Sequence, residues 1–125
     1  MTKTNGKAAA IARTYVDAMA RKNIDAIISI STDDVVCTSP IGQTTGVDRF
    51  RDFQEGFARM IAKLTVLAVY GDDEQAVVVY DVETQPVPHS VVAELIRITD
   101  GKLASTQVIY DATPFAAYMA TAKPH

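Results

Sequence analysis

Helix-patterned segments fill the first half of this chain and β-prone segments fill most of the second, and this order constrains the fold more than any other feature. From Lys7 to Arg21 the apolar residues Ala8, Ile11, Tyr15, Val16 and Met19 recur at the three-and-four spacing of a helix with one buried stripe. Asn23 is placed to cap a second, shorter helix that buries Ile24, Ile27 and Ile28, because its side-chain oxygen can accept from an N–H that the helix leaves unpaired. Val35-Val36-Cys37-Thr38 predicts a short strand, ended by Pro40-Ile41-Gly42. After Gly46, the residues Phe50, Phe53, Phe57, Met60 and Ile61 return to helical spacing, with Arg49, Arg51, Asp52, Glu55 and Arg59 on the other side.

The β-rich segments are Leu64 to Tyr70, Ala76 to Thr84, Val91 to Thr99 and Leu103 to Tyr110. Gly71-Asp72-Asp73 and Gln85-Pro86-Val87-Pro88 separate the first three, and Asp100-Gly101 predicts a tight hairpin into the last, since such turns require positive φ. Thr113-Pro114 opens a short C-terminal helix that buries Phe115, Tyr118 and Met119. Helices first and antiparallel strands last predict an α+β fold, with three helices covering one face of a curved, mostly antiparallel sheet. The length of 125 residues, 48% hydrophobic and 22% charged, suits a single domain spanning 1–125, with its core over about 8–118.

The strand from Ala76 to Thr84 carries Val78, Tyr80 and Val82 on one side and Val77, Val79, Asp81 and Glu83 on the other. Apolar residues on both sides leave one apolar face uncovered by helices, which predicts a homodimer through the outer sheet face. A net charge of -3 with scattered Lys and Arg leaves no basic surface for nucleic acid. No apolar run approaches the roughly 20 residues that span a bilayer, and Met1 to Gly6 lacks the apolar centre of a signal peptide, so a cytoplasmic protein is expected. Cys37 is the only cysteine, and His89 and His125 are the only histidines, so neither a disulfide, a metal site nor a cofactor is expected.

Several short runs, in order, carry a resemblance. Tyr15-Val16-Asp17-Ala18-Met19, Asn23-Ile24-Asp25-Ala26-Ile27, Asp33-Asp34-Val35 and Ser39-Pro40-Ile41-Gly42 are followed by Gly46-Val47-Asp48, Ile96-Arg97-Ile98-Thr99-Asp100-Gly101-Lys102-Leu103 and Ile109-Tyr110-Asp111. In this order and spacing they resemble the SnoaL-like and ketosteroid-isomerase-like branch of the nuclear transport factor 2-like superfamily. The resemblance implies a cone-shaped, cystatin-like fold with a pocket between helices and sheet. Its members include isomerases, epoxide hydrolases, polyketide cyclases and noncatalytic binding modules, so fold does not choose function.

In ketosteroid isomerases a carboxylate base moves a proton while a Tyr and a protonated acid stabilise the enolate. The resemblance puts Tyr15 at the Tyr position, Glu94 at the acid position and Ser39 at the base position, where a neutral hydroxyl cannot abstract a carbon-bound proton. Against limonene epoxide hydrolases, Asp81 matches one carboxylate, while Val108 and Tyr80 stand where the second carboxylate and the Arg belong.

Strand alternation and a hairpin turning at Val87-Pro88 would make Asp81 and Glu94 neighbours, a carboxyl pair that cannot both ionise cheaply and so exchanges protons. Tyr15, Asp81 and Glu94 are therefore the expected catalytic residues, and Ser39, Phe53, Phe57, Val79, Val92, Thr106 and Tyr110 the expected pocket residues. The expected ligand is a small apolar organic molecule, with proton transfer on a carbonyl or epoxide as one reading. A noncatalytic binding or dimeric interaction module is the other.

Overall fold

The computed structural model describes residues 6–116. The elements run α1 (Lys7–Ala20), α2 (Ile24–Ser29), β1 (Ser31–Ser39), β2 (Gly42–Thr45), α3 (Val47–Met60), β3 (Ile61–Gly71), β4 (Gln75–Thr84), β5 (Ser90–Thr99) and β6 (Lys102–Ile109). One helical turn opens over 113–116 at the limit of the described residues, with Phe115 edge-on to Tyr110 at 5.5 Å between ring centroids. Tyr118 and Met119, expected in the same helix, lie outside the described residues, as does His125.

The six strands form one sheet in the order β2-β1-β6-β5-β4-β3. All neighbours are antiparallel except β1 and β6, which pair in parallel, Cys37 beside Thr106. The hairpin at Asp100-Gly101 is built as its residues dictate, with φ of 51° and 76°. The strand β2 carries no expectation from the sequence beyond the turn that ends at Gly42. Its residues Gly42-Gln43-Thr44-Thr45 have no apolar alternation because it is a short edge strand, and pairing with β1 defines it.

The helix α1 has no side-chain cap at Gly6. Its first amides are satisfied by the β3–β4 turn instead: Ala8 N donates to the Asp72 carbonyl at 2.9 Å, and Lys7 N to Asp73 Oδ1 at 2.9 Å. A Cβ on Gly6 would lie 2.2 Å from the Asp72 carbonyl carbon, so only glycine allows this approach. The contact fixes α1 across the sheet and buries its stripe Ala8, Ala12, Tyr15, Val16 and Met19. Asn23 caps α2 as expected, accepting from Ala26 N at 3.2 Å.

The helix-facing side of the sheet is lined by Val35 and Cys37, by Val78, Tyr80 and Val82, by Val92, Glu94 and Ile96, and by Leu103, Thr106 and Val108, all buried. The helix α3 closes this layer with fully buried Phe50, stacked on Tyr15 at 6.5 Å between centroids. Truncating such an aromatic core residue to Ala costs about 3–5 kcal/mol. Among the described residues, no helix is long and apolar enough to cross a membrane.

Candidate functional site

The pairing of β4 with β5 sets the site. Val78 lies opposite Glu94, Tyr80 opposite Val92, and Asp81 opposite Val91. Cross-strand partners share a face, so Glu94 projects toward the helices with Val78 and Tyr80, and Asp81 projects outward. This corrects the expected Asp81–Glu94 pair. The loop after β4 folds back, with Thr84 N donating to the Val87 carbonyl at 3.0 Å and Val87 N to Thr84 Oγ1 at 3.0 Å. The register this imposes differs by an odd number of residues from a turn at Val87-Pro88, and an odd shift reverses the face.

Glu94 is 1% exposed and its carboxyl is held by hydroxyls. Tyr15 Oη and Thr106 Oγ1 each donate to Oε1 at 2.7 Å, and Tyr80 Oη donates to Oε2 at 2.5 Å. Gln54 Nε2 donates to Tyr15 Oη at 3.1 Å, so α1, β4 and β6 meet on this one acid and α3 reaches it through Tyr15. Burial pushes the Glu94 pKa above its ordinary value, and the hydrogen bonds from Tyr80, Thr106 and Tyr15 pull it partly back. Burial, and then the charge of Glu94, hold the Tyr15 and Tyr80 hydroxyls well above the usual phenol range. The same causes push the Cys37 thiol up to about 12, so it stays a neutral core group rather than a nucleophile.

Beside this cluster a cavity of about 380 Å³ opens between α3 and the sheet, a volume suited to a small organic molecule. Its wall is mostly apolar, with Phe53, Phe57, Val92 and Val108 among its residues, and Glu94, Tyr80, Gln54 and Tyr110 are among its polar residues. Among the described residues, Asp52, exposed on α3, is the only other charged side chain on the wall.

Of the residues singled out in the sequence, Phe53, Phe57, Val92, Tyr110 and Glu94 line the cavity. Tyr15 and Thr106 stand behind Glu94 as its donors. Val79 falls on the outer face with Asp81, for the same reason of register, and does not line the cavity. Ser39 also does not, since it closes the β1–β2 turn, its hydroxyl accepting from Ile41 N at 3.3 Å and donating to the Gly42 carbonyl at 3.5 Å. Asp81 bonds His89 Nδ1 at 3.0 Å, and the carboxylate raises the imidazole pKa. Asp81, Glu83 and His89 bring their ligand-type atoms within 4.8 Å of one another on that outer side.

Two members of the cluster were missed in the sequence. Tyr80 shares even-numbered alternation with Glu94, a signal hidden by reading it as one more apolar residue beside Val78 and Val82. Gln54 sits in the apolar stripe of α3 between Phe50 and Phe57, where a polar residue is out of pattern.

The family model for the SnoaL-like domain matches residues 12–106. A crystal structure of a protein from Kribbella flavida DSM 17836 is 33% identical, with a TM-score of 0.86 and coverage of 95% of this chain and 97% of that one. An NTF2-like protein of unknown function from Cytophaga hutchinsonii ATCC 33406 is similar at 18% identity and TM-score 0.76, over 91% of this chain and 98% of that one. An LEH-like epoxide hydrolase of M. tuberculosis is similar at 12% identity and TM-score 0.71, over 92% and 90%. These last two likenesses concern the fold alone. A comparison with curated proteins finds no match.

Proposed function

The chain belongs to the SnoaL-like domain family, and from that premise we propose that it binds a small, largely apolar molecule in the cavity and moves a proton on it with Glu94. One observation carries this reading: a carboxyl only 1% exposed lies on the wall of an apolar cavity, held in place by hydroxyls from separate elements. Burying a carboxyl is costly unless it is hydrogen-bonded, and here the bonding orients it as well. Its raised pKa makes Glu94 a stronger base than an exposed carboxylate and makes the neutral acid easy to hold once the proton is taken.

Among the described residues, Glu94 is the one carboxyl buried on the cavity wall, since Asp52 is exposed and Asp81 faces outward. A single group suits a reaction in which the same carboxyl takes a proton from one atom and returns it to another, as in isomerisation of a carbonyl compound. Hydrogen–deuterium exchange at the α-carbon of α-tetralone in heavy water, followed by NMR, tests this. Wild-type protein accelerates the exchange and Glu94→Gln does not. Equal rates for the two proteins, with both folded, would remove the assignment.

The second reading, a noncatalytic binding protein, is supported by Ser39 lying in a turn away from the cavity and by Asp81 facing the outer side of the sheet. Ligand binding without any accelerated exchange favours it. We further propose a homodimer through the outer sheet face, where Tyr70, Val77, Val79, Val91, Leu95 and Ile109 give an apolar surface. A cytosolic setting accords with the single, buried, unpaired Cys37.

A further inference from the structure

The hydroxyls around Glu94 each have one proton to give, and each gives it to the carboxylate: Tyr15 and Thr106 to Oε1, Tyr80 to Oε2. These three bonds fill both lone pairs of Oε1 and one of Oε2, and the remaining position on Oε2 accepts when Glu94 is ionised and carries the proton when it is neutral. None of the three protons is left for a ligand, whereas Oε2 keeps an unused lone pair.

Gln54 adds a second acceptor. Its side chain is 1% exposed and belongs to the cavity wall. Tyr15 has committed its proton to Glu94, so the Tyr15 oxygen can only accept from Gln54, which turns the amide nitrogen toward it. The carbonyl Oε1 is left with no partner among the described residues. A buried amide carbonyl without a donor costs free energy that a ligand O–H or N–H would relieve. The terminal torsion of Gln is broad, so Oε1 can turn to meet such a group. The charged residues on the wall point the same way, because Asp52 and Glu94 are both acidic and no cation accompanies them among the described residues.

We propose that the polar end of the cavity ligand is a hydrogen-bond donor, an alcohol O–H or a protonated amine N–H, accepted by Gln54 Oε1 beside Glu94. This rests on the reading of the cavity as the ligand site and narrows its substrate class. The molecule whose proton Glu94 handles also carries a hydroxyl or amino group, set close to the reacting atom. Carboxylates and phosphates are repelled by the acidic wall. A ketone or ether without a donor leaves Gln54 unpaired.

Calorimetric titration with probes of one fused-ring skeleton tests this: α-tetralol, protonated α-aminotetralin, α-tetralone and α-methoxytetralin, each against wild type and Gln54→Leu. The alcohol or the amine is expected to bind wild type at least about tenfold more tightly than the ketone and the ether, as a site built to pair a donor rejects analogues that lack it. In Gln54→Leu that preference disappears while ketone binding is retained. A tighter alcohol identifies a neutral hydroxyl ligand, and a tighter amine identifies a cation drawn by Glu94. A ketone or ether that binds wild type as well as both donors, or a preference that survives Gln54→Leu, overturns the proposal. The wild-type ranking decides the matter by itself should Gln54→Leu fail to fold. If none of the probes binds, the cavity reading itself is lost and this proposal with it, whereas equal binding of all four removes only the donor requirement.

Discussion

Tyr80 and Glu94 stand diagonally across neighbouring strands on one face of the sheet, and the Tyr80 hydroxyl donates to the oxygen of Glu94 that neither Tyr15 nor Thr106 engages. Tyr80→Phe removes a donor to a buried charged acceptor, which is expected to cost about 1.5–3 kcal/mol of stability in chemical denaturation. It also raises the Glu94 titration further, because the Tyr80 bond is the largest of those that lower it. Carbon-detected NMR of the labelled carboxyl reads that shift directly. An unchanged titration in a folded variant would show that Tyr80 does not hold the acid.

Glu94 makes stability depend on pH in a defined direction. Its pKa in the folded protein lies above the ordinary 4.5, so the native state binds the proton more tightly than the unfolded chain. Stability is then greatest below the unfolded value and falls as pH rises from about 4.5 through the folded pKa. In Glu94→Gln this contribution is absent. Urea denaturation of both proteins across that window is expected to give curves that diverge as pH rises, with the wild type losing stability relative to the variant.

The order of elements was legible in the sequence because each helix and long strand carries its own periodicity, from the stripe of α1 to the Asp100-Gly101 turn. Glu94 stood out as an acid inside an apolar strand. Its surroundings did not, since a hairpin register depends on how Thr84 and Val87 bond across a loop of irregular backbone. That one detail moved Asp81 and Val79 to the outer face and brought Tyr80 to the inner one. The parallel pairing of β1 with β6 left no local signal either, as it joins segments far apart in the chain.

Asp81 is expected to be dispensable for the cavity. Asp81→Asn leaves tetralone exchange unchanged while lowering the His89 pKa toward the ordinary 6.5, because the carboxylate that raises it is gone. A proton NMR titration of the imidazole, run beside the exchange assay, checks both halves. A collapse of exchange in Asp81→Asn would return Asp81 to the mechanism.

The outer face carries the proposed dimer. Val79 lies near its middle, between Ala68 on β3 and Ala93 on β5. A charge there opposes the burial of both copies, so Val79→Asp is expected to halve the mass seen by light scattering at micromolar concentration while the cavity still binds its probes. A wild-type protein that is already monomeric under those conditions would end the dimer proposal.

Because Ser31 pairs with Leu103, the strand after the first helices waits for the last one before its second edge is satisfied. During synthesis on the ribosome the β1–β2 ribbon and α1 therefore emerge long before their docking surface is complete, and closing so long a loop is a slow step. Until β6 arrives, two strands expose unpaired amides and carbonyls able to recruit another chain. The architecture that encloses the acid thus leaves two strand edges open in a half-made polypeptide until its last strand is complete.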